Sequence, residues 1–142
     1  LFRHMRFLAR KPGESGRFSR RAVLSALVIG IFLALIGWTV GPWLVGVLFG
    51  SPYADGTQTI IGLLFTALIF ALPNYVLEQK AIATQHERWF AASLFLAVSM
   101  NVLLNLYLIP IKGVEGAAWA TILTEMSLFV ILVWGLRREL LS

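Results

Sequence analysis

Cysteine is absent from all 142 residues, which excludes a disulfide framework, a thiolate metal site and a cysteine nucleophile. Charge is scarce too. Asp, Glu, Lys and Arg make up 13% of the chain, against about 25% in a soluble domain. Long stretches carry none: no Asp, Glu, Lys, Arg or His stands between Ala22 and Ala54, from Gly56 to Leu77, or from Trp89 to Ile111. A fourth stretch, Gly116 to Leu136, is interrupted by Glu125 alone. The two histidines, His4 and His86, lie outside these runs and are not spaced as metal ligands. The chain lacks a nucleotide-binding glycine motif, a nucleophile elbow and a zinc motif. No catalytic residue, metal or cofactor is therefore assigned, and an enzyme is not expected from this portion.

What is present is apolar. Hydrophobic residues account for 58% of the chain and the mean hydropathy is +0.81. A helix needs about 20 mostly apolar residues to cross the hydrocarbon core of a bilayer, and all four stretches meet that length. The expected fold is all-α, a polytopic membrane domain over residues 22–138 with spans at about 22–49, 57–77, 89–109 and 116–136. Pro42 is expected to kink or break the first span, and Pro110 to stop the third. A turn is expected over Ser51–Gly56, a polar connection over Leu77–Arg88 and a tight link over Ile111–Glu115. Gly37 with Gly41, and Gly46 with Gly50, have the spacing that lets helices approach closely. Trp38, Trp43, Tyr53, Trp89, Tyr107 and Trp134 mostly fall toward span ends, as interfacial aromatics do.

Residues 1–21 form a basic leader. Arg3, Arg6 and Arg10 share one helical face and Leu1, Met5 and Leu8 another, the pattern of an amphipathic helix at a membrane surface. Pro12–Gly16 breaks it, and Arg17, Arg20 and Arg21 follow. No aromatic residues interleave with the bases as single-strand nucleic-acid binders require, so membrane lipids rather than nucleic acid are the expected partner. Lysine and arginine gather on the cytoplasmic side of membrane proteins. Eleven of the twelve basic residues fall in the leader, the 77–88 connection or the C-terminal end; Lys112 alone falls in a loop of the other side. Both ends are therefore expected to be cytoplasmic, with residues 139–142 a cytoplasmic tail. The polar leader is not a signal peptide, and the chain reads as a piece of a longer protein.

Few residues could carry chemistry. A carboxylate midway along a span, as at Glu125, costs roughly 2.5–3.5 kcal/mol on insertion scales, so Glu125 should face protein or a water-filled cavity. Two roles stand open for it: a proton, cation or substrate site, or a neutral acid hydrogen-bonded to a neighbouring helix. Asn101 and Asn105 share a face of the third span. Asn74 sits beside Pro73, whose ring leaves the Ile69 carbonyl without its helical donor. Interhelical glue is the expected role of the asparagines, and lining a substrate path is the alternative. Gly113, Ala117, Ala120, Thr124 and Ser127 form a stripe of small residues expected to be a packing seam, with Glu125 on a neighbouring face beside Ala118 and Thr121.

The stretch from Asn101 to Glu125 resembles the C-terminal domain of polysaccharide biosynthesis proteins, lipid-linked oligosaccharide flippases of the multidrug/oligosaccharidyl-lipid/polysaccharide exporter superfamily. The matching positions are Asn101, Asn105, Ile109-Pro110, Gly113, Gly116-Ala117-Ala118, Ala120-Thr121 and Glu125. A weaker likeness extends over about residues 20–138. The resemblance implies a longer parent with two lobes of helices around a cavity, of which this chain forms part of the second. It also implies movement of undecaprenyl-pyrophosphate-linked oligosaccharide or polysaccharide repeat units across the bacterial inner membrane by alternating access. The implied partners are that lipid-linked oligosaccharide and the parent's remaining helices. Family members commonly place cationic residues in the cavity, and these spans hold no Lys or Arg. Peptidoglycan-precursor flippases and multidrug exporters of the same superfamily are the nearest alternatives. A membrane-embedded envelope glycosyl- or acyltransferase is another, as is a small self-contained membrane scaffold.

The absence of cysteine makes the orientation directly measurable. Asp55→Cys should react with a membrane-impermeant maleimide in intact cells, and Gln85→Cys only after permeabilisation. The reverse pattern would invert the topology.

Overall fold

A computed structural model describes residues 14–137 and 140. The surface helix expected over the first eleven residues lies outside the described residues, as does the tail except Leu140. Five helices follow one another: α1 (Glu14–Thr39), α2 (Gly41–Phe49), α3 (Ser51–Ala83), α4 (Glu87–Lys112) and α5 (Val114–Gly135). All but α2 contain a segment long and apolar enough to cross a membrane: Gly16–Thr39, Thr57–Ala83, Glu87–Lys112 and Val114–Gly135. The chain is an all-α, polytopic membrane domain.

Several boundaries differ from expectation, each for a local reason. The break expected at Pro42 is present, and it divides the 22–49 stretch in two: α1 ends at Thr39, and α2 begins at Gly41 with Pro42 in its first turn. A proline there forfeits a hydrogen bond that a helix start leaves unmade anyway. At its other end α1 takes in Arg17, Arg20 and Arg21, so the leader from Glu14 onward is continuous with the span. Ser51–Gly56 is helical rather than a turn. Gly50, at φ 95° and ψ 158°, reverses the chain by itself, in a conformation that a side chain would oppose. Helix α3 continues beyond Leu77 through Ala83, which shrinks the polar connection to Thr84–His86. Pro110 does not stop α4, which runs on to Lys112. The proline removes one backbone bond with two residues left to run. Gly113, at φ 60°, makes the stop, its N–H donating to the Ile109 carbonyl at 2.8 Å.

The long helices lie in the order α1, α3, α5, α4, with α2 against α3. Val23 clusters with Leu77, Gly30 meets Ile69, Gly37 meets Phe65 and Gly41 meets Ile61, so α1 and α3 are antiparallel. Asn101 with Thr124 and Leu108 with Gly116 show the same for α4 and α5. Facing residues of α3 and α5 instead rise together, from Leu63 and Ala67 beside Ala118 and Ile122 to Leu77 and Ala81 beside Leu128 and Leu132. Those two helices are parallel. The start of α1, the end of α3, the start of α4 and the end of α5 therefore share one end of the bundle, with Arg17, Arg20, Arg21, Lys80, Arg88 and Arg137. Lys112 is at the other.

Helix α1 packs through a run of mostly small residues: Gly16, Ser19, Val23, Ala26, Gly30, Ala34 and Gly37 are all buried, and Gly41 of α2 extends the run. Steps of three and four keep them on one face. Only the Gly37/Gly41 part was evident as a motif. The decisive contact is at Gly30, where a Cβ would stand 2.7 Å from both the Cα of Ile69 and the carbonyl oxygen of Leu68. Trp38 fastens the same pair of helices, its indole lying on Gly62 and donating to Thr66 Oγ1 at 3.1 Å. Away from these seams the surface is apolar, with Phe95 76% and Leu106 69% exposed, as hydrocarbon surroundings permit.

Because the atoms facing Gly30 and Gly116 include backbone, a side chain at either position can be relieved only by moving helices apart. Gly30→Leu and Gly116→Leu should each destabilise the bundle by about 1–3 kcal/mol, read as a lower melting temperature in detergent. Val28→Leu, at an exposed position of α1, should leave it unchanged.

Candidate functional site

The polar residues of α3 and α5 meet between two apolar clusters. On one side lie Leu63, Ala67, Ala118 and Ile122; on the other, Leu77, Ala81, Leu128 and Leu132. At the level between them the Asn74 amide nitrogen donates twice to one residue, to the Glu125 side-chain Oε2 at 2.8 Å and to the Glu125 backbone carbonyl at 2.9 Å. Asn74 is 2% exposed. Its position follows from Pro73, which places it next to the weakened backbone of α3 and on the face turned to α5.

The bond leaves a remainder. Asn74 Oδ1 is buried and accepts no hydrogen bond, although a buried polar atom without a partner costs about 1–3 kcal/mol. One turn further along α3, on the same side as Asn74, stands Glu78, half-buried. The arrangement is an intramembrane centre of two carboxyl groups and an amide, with one acceptor unused. Such a centre has the oxygen chemistry to bind a proton or a hard cation. Among the described residues, no group of three or more His, Cys, Asp and Glu is placed to hold a metal ion.

No protein-family model, no curated protein and no solved structure matches this chain.

The four candidate residues separate into two pairs on adjacent flanks of α5. Asn74 joins Glu125 on the flank that faces α3. On the α4 side, Asn101 donates to Thr124 Oγ1 at 3.2 Å, and Asn105 donates to both the carbonyl and the Oδ1 of Asn101 at 2.9 Å. No hydrogen bond among the described residues joins the two pairs. Asn101 thus connects α4 to α5, with Asn105 holding it from one turn along the same helix, while Asn74 belongs with the acid. Glu78 was not singled out from the sequence, because the second span had been ended at Leu77. Its spacing of four from Asn74 is the signal that points to it.

The small-residue seam of α5 is shifted by one turn from its expected start. Ala120 and Thr124 are buried and Ala117 and Ser127 half-buried, but Gly113 is exposed with open space beside it. It shapes the α4–α5 turn and packs against nothing. Gly116 begins the seam instead, seated on the Leu108 carbonyl.

Interhelical side-chain hydrogen bonds in membranes average about 0.6 kcal/mol and reach about 1.7. A double-mutant cycle on Asn74→Ala and Glu125→Ala, followed by unfolding in mixed micelles, should give a coupling energy in that range. Asn101→Ala, on the other flank, should be additive with Glu125→Ala.

Proposed function

We propose that this chain supplies four membrane helices to a flippase that carries lipid-linked oligosaccharide or polysaccharide repeat units across the bacterial inner membrane by alternating access. The reading rests on the likeness of Asn101–Glu125 to the polysaccharide biosynthesis proteins. Its support in the fold is one observation: the acid that ends that stretch meets a buried amide on another helix, Asn74, at 2.8 Å, beside a second acid. A carboxyl group at this depth carries a desolvation cost that apolar packing avoids, and that cost supports a role for Glu125 beyond joining two helices.

In this reading Glu125 takes up and releases a proton or cation as the helices change arrangement. Asn74 positions it, and Glu78, one turn along α3 from Asn74, supplies a second carboxyl group. Pro73, which removes one backbone hydrogen bond within α3, gives that helix a place to bend. The end of the bundle rich in arginine is the cytoplasmic one, by the distribution of positive charge. The substrate's pyrophosphate and sugars would meet other helices of the parent protein, since the stretches 22–49, 57–77, 89–109 and 116–136 hold no Lys or Arg.

Glu125→Gln isolates the acid from the fold, because the glutamine carbonyl still accepts from the Asn74 amide. The gene product that carries this chain should restore surface glycan in cells lacking their own polysaccharide flippase, and Glu125→Gln should fail to do so at equal membrane abundance. Restoration by both would make Glu125 a packing residue. Restoration by neither, with both well inserted, would place the substrate elsewhere.

A further inference from the structure

Helices α1 and α5 both pack on α3 but not on each other, and the space left between them is a groove of about 390 Å³. Its walls are Leu24 and Leu27 of α1 and Phe129 and Val133 of α5, and Arg20 and Arg137 also line it, at its basic end. Arg137 is held in place by Trp134, whose ring centre lies 5.3 Å beneath the guanidinium, a cation–π contact that leaves the hydrogen-bonding edge free. Among the described residues neither arginine is in an ion pair. From Arg20 to Leu27 the groove runs along roughly 10 Å of helix at 1.5 Å rise per residue.

We propose that this groove binds an anionic phospholipid of the surrounding leaflet, its phosphate between Arg20 and Arg137 and the upper part of one acyl chain along Leu24, Leu27, Phe129 and Val133. The occupant follows from charge complementarity. Two guanidinium groups with no ion-pair partner among the described residues demand an anion, and the apolar walls immediately below them demand a hydrocarbon tail. A bilayer phospholipid supplies both in one molecule, at the depth where these arginines stand. A further helix of protein would have to bring an acid to the arginines. A bound lipid would tie α1 to α5 where the protein itself leaves them apart, adding a contact that the flipping reading does not use.

The test is photo-crosslinking of the full gene product in nanodiscs doped with photoactivatable phosphatidylglycerol or phosphatidylcholine, with adducts mapped by mass spectrometry. Phosphatidylglycerol should label peptides containing Leu24–Leu27 and Phe129–Val133. Labelling should fall roughly tenfold or more in Arg20→Gln/Arg137→Gln, as expected for two arginines acting on an anionic headgroup, and persist in Arg20→Lys/Arg137→Lys. Glu125→Gln should label as the wild type does, which separates this site from transport. Equal labelling by phosphatidylcholine, or no effect of the double glutamine variant, would overturn the proposal. So would displacement of the probe by a polyprenyl phosphate, which would make the groove a substrate site. Absence of any adduct would mean that protein covers it.

Discussion

Within hydrocarbon a polar group finds its partner in the protein or goes without one, and this constraint concentrates on the contact between Asn74 and Glu125. A glutamate at mid-membrane cannot face lipid cheaply, so α5 must turn it toward a helix that offers a donor. Asn74 is that donor, and it reaches two oxygens of the same residue at once. The double contact sets the rotation of both helices and their register along one another. Once that register is set, Leu77 and Ala81 fall beside Leu128 and Leu132 on one side, and Leu63 and Ala67 beside Ala118 and Ile122 on the other.

The remaining helices are placed by close approach. Lipid tails are as apolar as leucine, so burial alone does not hold membrane helices together. Van der Waals contact does, and it grows as backbones come nearer. Gly30 against Leu68 and Ile69, and Gly116 against the Leu108 carbonyl, are where the helices come nearest. They bring α1 onto α3 and α4 onto α5. Helix α3, the longest, is covered on two sides, whereas fully buried positions on α4 are confined to Ser93 and Ala97. The polar centre lies beside the best-covered helix, where displacement of either partner would be resisted most.

Much was legible in the sequence because the bilayer imposes a coarse and simple code. Runs without charge, each long enough to cross 30 Å of hydrocarbon, determined the all-α class, the four spans and the alternation that gathers the arginines at one end. Proline and glycine were read less well. Pro42 interrupts the first helix and Pro73 lies within α3, both as expected, but Pro110 does not stop α4, and Gly50 alone does what Ser51–Gly56 was expected to do. A proline's effect depends on whether its missing hydrogen bond falls at a helix start, within a supported interior or near an end that is about to stop. A residue's identity does not state which.

The candidate site was legible as residues and hidden as a site. Glu125, Asn74, Asn101 and Asn105 each stood out because polar side chains are costly in a span. That Asn74 belongs with Glu125, that Asn101 turns to Thr124 instead, and that Glu78 joins the first pair were decided only by tertiary structure. The pairing spans 51 positions and depends on α3 and α5 lying parallel, whereas helices consecutive across a short turn are antiparallel and reveal their pairings more readily. Periodicity along one helix fixes which residues share a face; which helix that face meets is settled by how closely the glycines of the others let them approach.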